Sequence, residues 1–250
     1  MKFSDTEIRY VAVSTVSKIV LCLLGLAMIW LDVGVFHTAI LETSFTEVAQ
    51  ELLLFACALI FLRCSRVAGH KGFSVLGAGF FGCLLMRELD GLFDPISHSA
   101  WCWPFMLVLL LSLKVGLAPG NRADTVNALT RFIKTPAFGA MVSGGLVLVF
   151  SRVFGMGHLW HLILRDGYAR LAKTMVEEGL ELLAYTIWFS ACVDHFFGLR
   201  AVARSRRHLR HTAQYSGVAL AQVYRPSAVA SWPCEASPQS QRLQRSGRPN

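Results

Sequence analysis

Charge is scarce in this chain of 250 residues. Only 16% are Asp, Glu, Lys or Arg and 54% are hydrophobic, whereas a soluble domain carries about 25% charged residues. A water-soluble globule of this length needs polar surface to cover its core, and this chain has too little. Several functional signatures are also missing. There is no C-x-x-C, and the seven cysteines fall mostly inside apolar blocks, so they read as small buried hydrophobes rather than a disulfide framework or a thiolate metal site. There is no G-x-S-x-G, no Walker A motif and no G-x-G-x-x-G in a strand-turn-helix setting. No apolar block carries the Glu-x-x-His of a carboxylate metal bundle. His37, His70 and His195 lie near block ends, so the mid-depth histidine pair that haem requires is absent too. No small-residue cleavage site follows the first apolar run; Asp32 and Gly34 follow instead, and the run is expected to remain as a span. No internal repeat is visible.

What is present is a series of apolar blocks of roughly 18 residues or more, the length needed to cross hydrocarbon. The reading is an all-α polytopic transmembrane bundle of about six spans, at 11–33, 47–62, 72–89, 101–117, 136–154 and 176–199. Residues 1–10 form the N-terminus, 11–200 the membrane domain, and 201–250 a basic tail. The end of that tail, rich in Ser, Pro, Gln and Arg, predicts disorder. Residues 158–173, with Trp160 and Tyr168, alternate apolar and basic or polar groups at helical spacing, which predicts a short interfacial helix. Small residues four apart, Ala78 with Gly82 and Ala140 with Gly144, predict close helix approach. They are also compatible with a homo-oligomer.

The net charge of +8 does not point to nucleic acid, because the basic residues are not interleaved with aromatics along a groove. They occupy loops and the tail. Fourteen (Lys2, Arg9; Arg63, Arg66, Lys71; Lys114, Arg122, Arg131, Lys134; Arg200, Arg204, Arg206, Arg207, Arg210) fall on one side, against five (Arg87, Arg152, Arg165, Arg170, Lys173) on the other. The positive-inside rule then places both termini in the cytoplasm and the chain in the inner membrane, with the lipid bilayer as its partner.

The acidic residues gather at the opposite face. Glu47 and Glu51 open the second span; Glu88, Asp90 and Asp94 close the third; Arg152 closes the fifth; Glu177, Glu178 and Glu181 open the sixth. Short Glu side chains snorkel poorly, so Glu51 and Glu181, one turn deeper than Glu47 and Glu177, each need a cation, a donor or a proton. Three functions compete. A carboxylate-rich pocket would bind or move a proton, a cation or a small polar solute. A divalent or transition metal held by Glu181 with His98, His158 or His161 would make a membrane-embedded enzyme acting on a lipid or lipid-linked substrate. A structural or assembly subunit would instead close each Glu in a pair with Arg87, Arg152 or a backbone donor.

Overall fold

The computed structural model describes residues 5–36, 44–95, 97, 99–164 and 170–223. Among these the chain is entirely helical: α1 (Asp5–Trp30), continued by a π-helical turn (Leu31–Val35), α2 (Phe45–Cys64), α3 (Lys71–Glu88), the short α4 (Asp90–Phe93), α5 (Cys102–Gly116), α6 (Pro119–Ile133), α7 (Pro136–Phe154), α8 (Gly157–Leu164) and α9 (Arg170–Val223). The chain divides into two units, 1–204 and 205–250. Within the second, the described residues continue helically to Val223, and the Ser, Pro, Gln and Arg-rich end of the tail falls beyond them. Residues 224–250 lie outside the described residues, as do His98 and Tyr168.

Among the described residues, four helices are long and apolar enough to cross a membrane: Val11–Val35, Phe45–Cys64, Pro136–Phe154 and Arg170–Ser205. The bent pair α5 and α6 makes a fifth if it counts as one span. Two of the six expected spans therefore differ. The third corresponds to α3, whose 18 residues include Lys71, Arg87 and Glu88 at their ends, leaving a short apolar stretch. The fourth corresponds to α5, whose 15 residues cover about 22 Å at 1.5 Å per residue, short of about 30 Å of hydrocarbon.

The turn after α5 has a local cause. Proline disfavours helical geometry in the residue before it, and Ala118 before Pro119 is extended, with ψ 138°. The carbonyls released at the end of α5 are recovered by side chains of α6. Asn121 Nδ2 donates to Val115 O (2.9 Å) and Thr125 Oγ1 lies 3.0 Å from Gly116 O. The two helices meet at 92°. With Thr125, Ala128 and Phe132 buried and Arg122, Asp124 and Arg131 exposed, α6 is amphipathic. It is a helix that the sequence reading left as a basic loop. The expected interfacial helix at 158–173 is shorter, as α8, and Arg170–Lys173 belong instead to α9.

α3 packs against α2, α5 and α6. The core joins Leu54, Cys57 and Phe61 of α2, Ala78 and Phe81 of α3, and Tyr185, Trp188 and Cys192 of α9. His195, expected to be solvated near a span end, is buried among Phe61, Phe73 and Phe132, with ring centroids 5.6, 6.1 and 4.8 Å away. Its neighbour Asp194 pairs with Lys18 of α1 (2.7 Å). Trp188 donates from Nε1 to Met141 O (2.8 Å) and lies flat on Gly144, where an added Cβ would fall 2.6 Å from the indole. Gly144→Ala is therefore expected to cost about 1–3 kcal/mol by overpacking. Gly139→Ala, five residues away with open space at its Cβ position, is the control. Thermal midpoints of the two purified variants check this, and equal midpoints contradict it.

Candidate functional site

Of the carboxylates singled out above, three (Glu88, Glu177 and Glu181) are brought together where the C-terminal ends of α3 and α7 meet the first turns of α9. Glu181 is 2% exposed. Its Oε1 receives a hydrogen bond from Ser151 Oγ (3.0 Å) and pairs with Arg152 (3.0 Å). Both partners come from the last turn of α7. The Arg152 guanidinium also reaches Glu177 (3.7 Å) and Glu88 (3.9 Å). Glu88, the last residue of α3, is held at Oε1 by Arg87 (2.8 Å) and by the Tyr185 hydroxyl (2.7 Å). Glu177 is paired in addition with Lys173 one turn earlier on α9 (2.9 Å). Its carboxylate packs against Gly155, where an added Cβ would make it shift.

The spacing explains why these groups meet. Glu177, Glu181 and Tyr185 lie four apart on one stripe of α9, and that stripe faces the ends of α3 and α7. Tyr185 is buried in the core below, so the polar cluster sits directly on the apolar packing of α2, α3 and α9. Glu178 lies one step around the helix and meets α2 instead. Gln50, fully buried, donates from Nε2 to both Glu178 Oε2 (3.0 Å) and Glu178 O (3.0 Å). Glu51, the next residue of α2, is half-buried within electrostatic reach of Glu88, and it makes no hydrogen bond or ion pair among the described residues.

The other expected site residues do not join. Asp90 is exposed and accepts from the N–H of Gly91 (2.8 Å); Asp94 is exposed just beyond α4. Both fall past the end of α3, where the chain leaves the bundle. His158 and His161 are exposed on α8. Among the described residues, no three His, Cys, Asp or Glu side chains gather closely enough to hold a metal ion. Among the described residues the polar partners of Glu181 are Arg152 and Ser151, and His98 of the candidate metal set lies outside them.

Gln50, Ser151, Tyr185, Lys173 and Gly155 were missed as cluster members. Tyr185 was visible at four-residue spacing from Glu181, but its bond to Glu88 crosses 97 residues of sequence. A second missed residue is Asp32. It is fully buried in the π turn and accepts hydrogen bonds from Phe45 N (2.9 Å), Thr46 N (2.8 Å) and Thr46 Oγ1 (2.6 Å). It thereby caps α2, the helix that carries Gln50 and Glu51.

Fold and site together define an all-helical chain with several helices fit to cross a membrane and an ion-paired acidic cluster where the ends of its helices meet. No protein-family model, no curated protein and no solved structure matches it.

Proposed function

We propose that this is a multi-pass inner-membrane protein of about six spans, with both termini cytoplasmic, whose acidic cluster faces outward and binds a proton or a small cation. One observation carries the reading. Five carboxylates (Glu51, Glu88, Glu177, Glu178, Glu181) share a largely buried locus with three fixed cations (Arg87, Arg152, Lys173). Uncompensated carboxylates in a low-dielectric setting draw protons or cations. Two features support the topology. The cluster collects the start of α2, the end of α3, the end of α7 and the start of α9, as alternating crossings require. The basic loops lie at the opposite helix ends. In this topology α6, amphipathic and set across α5, lies along the cytoplasmic interface. Because the cluster is filled by its own ion pairs, a proton or a small ion suits it better than a bulkier polar solute.

A second reading is favoured by the way Arg152 is shared. One guanidinium on α7 reaches Glu88 on α3 and Glu177 and Glu181 on α9, as a fastening of three helices would. The two readings part at Glu51, which no fastening uses. Glu51→Gln and Glu181→Gln are expected to express and purify as the parent does. Growth of a host that depends on the chain, or dye-reported ion flux in liposomes, should fall to the level seen without it. If both variants support parental growth and flux, the binding reading is wrong and the fastening remains.

A further inference from the structure

Gln50 is fully buried, yet half of its amide is unsatisfied. Nε2 donates twice, to Glu178 Oε2 and Glu178 O, both at 3.0 Å. Oε1 is buried and has no hydrogen-bond partner among the described residues. The orientation of the amide is chemically determined. Turned over, it would set its carbonyl oxygen against a carboxylate and a backbone carbonyl, neither of which can donate. The oxygen therefore stays on the other arm of an amide whose nitrogen faces Glu178, and it wants a donor or a cation. This deficit is independent of the charge count, and it falls in the same place. Among the described residues the carboxylates there outnumber the fixed cations, and Glu51 follows Gln50 on α2 with no hydrogen bond or ion pair.

A single ligand answers both deficits. Resting on the binding reading above, we propose that a hard metal cation of the alkali or alkaline-earth kind binds at Gln50 Oε1 beside the Glu178 carboxylate, with water completing its shell. The donors are an amide carbonyl and carboxylates. No thiolate or imidazole belongs to this part of the cluster, so the site suits oxygen-seeking ions and not zinc or copper. A magnesium-like ion commonly takes one or two carboxylates and keeps several waters, so the absence of a tight three-residue ligand group fits a partly hydrated ion. The cation would also fix the α2–α9 contact that Gln50 and Glu178 already form.

The test uses the purified full-length chain in detergent. Thermal unfolding midpoints are measured at matched ionic strength in choline chloride, NaCl, KCl, MgCl2 and CaCl2. At least one metal salt should raise the parent's midpoint saturably above choline, as ligand binding to the folded state requires. Gln50→Leu, which removes the oxygen, should abolish that rise. Gln50→Glu, which sets a second carboxylate against Glu178, should make the midpoint depend more steeply on the cation, and it carries the test alone if Gln50→Leu does not fold. Equal midpoints in choline and all four metal salts, a full response in Gln50→Leu, or a flat one in Gln50→Glu each overturns the site and points to a trapped water at Oε1. Such a failure leaves the proton-binding form of the function standing, since that is decided by Glu51→Gln and Glu181→Gln. Parental behaviour of those two variants beside a Gln50-dependent cation response would instead retain the site and remove the function.

Discussion

Arg152→Met should unfold at a markedly lower temperature than the parent, with a loss of about 2–3 kcal/mol. Breaking a buried ion pair by removing one partner costs about 3–5 kcal/mol, because the remaining charge is left buried and uncompensated. Glu181, at 2% exposure, is in that position, whereas the Arg152 side chain is 40% exposed, which places the expected loss below the full range. The hydrogen bond from Ser151 Oγ remains but cannot replace a guanidinium that also serves Glu88 and Glu177. The double variant Arg152→Met with Glu181→Gln should recover most of the loss, since it removes both the cation and the most deeply buried of the charges it served. Arg152→Lys should recover less, because a point-like ammonium cannot span three carboxylates. Thermal midpoints of the parent, Arg152→Met, Glu181→Gln and the double variant form a double-mutant cycle, with Arg152→Lys measured beside it. A double variant no more stable than Arg152→Met would show that Glu181 is not what Arg152 compensates, and both readings of the cluster would then lose their centre.

Helices could be read from the sequence because apolar blocks and charge scarcity are local properties. Small residues likewise marked a real approach at Gly144, where α7 receives Trp188. The number of crossings could not be settled in the same way. Gly72 to Leu89 has the composition of a span at its centre, but the charges at both ends shorten it. The 101–117 block is followed at once by a proline-directed turn into a second helix set at 92° to it. The basic stretch after it looked like a loop because its polar residues dominate the window. Its helical nature depends on Thr125, Ala128 and Phe132 sharing one face buried against the bundle, which only the fold reveals.

The candidate site was legible in part for a similar reason. The depth argument picked Glu51 and Glu181, one turn deeper than Glu47 and Glu177, and charge at the ends of apolar segments picked Glu88, Arg152 and Glu177. Asp90 and Asp94 carry the same charge as Glu88 and lie within six residues of it, yet α3 stops at Glu88 and both are exposed beyond it. Partners such as Gln50 and Ser151 are uncharged and ordinary in an apolar helix. Their importance comes from what stands opposite them, 128 and 30 residues away in sequence.

Asp32→Ala is the second substitution with a large expected effect, about 3 kcal/mol. Asp32 is fully buried, and its carboxylate receives two backbone N–H groups and one hydroxyl from Phe45 and Thr46. The first N–H groups of a helix have no partner within it. Within α2, Ser44 Oγ accepts from Glu47 N (3.2 Å), so Asp32 and Ser44 divide the task. Loss of a single cap costs about 1 kcal/mol, and hydrogen bonds to a charged acceptor are worth about 1.5–3 kcal/mol each; losing three at once, with partial rescue by water, gives the figure above. The π turn serves the same end. It inserts an extra residue where α1 finishes, and Asp32 lies in the widened turn. Asp32→Asn keeps one acceptor oxygen and should lose about half as much as Asp32→Ala. Ser44→Ala, removing one bond, should lose less than either. The thermal midpoints of the three variants, ranked in that order, test the arrangement; an Asp32→Ala midpoint equal to the parent's would contradict it. Because Gln50 and Glu51 stand one to two turns beyond this cap, Asp32→Ala should also blunt any cation-dependent rise in midpoint, and Ser44→Ala should largely spare it. This links the end of the first helix to the site at the start of the second.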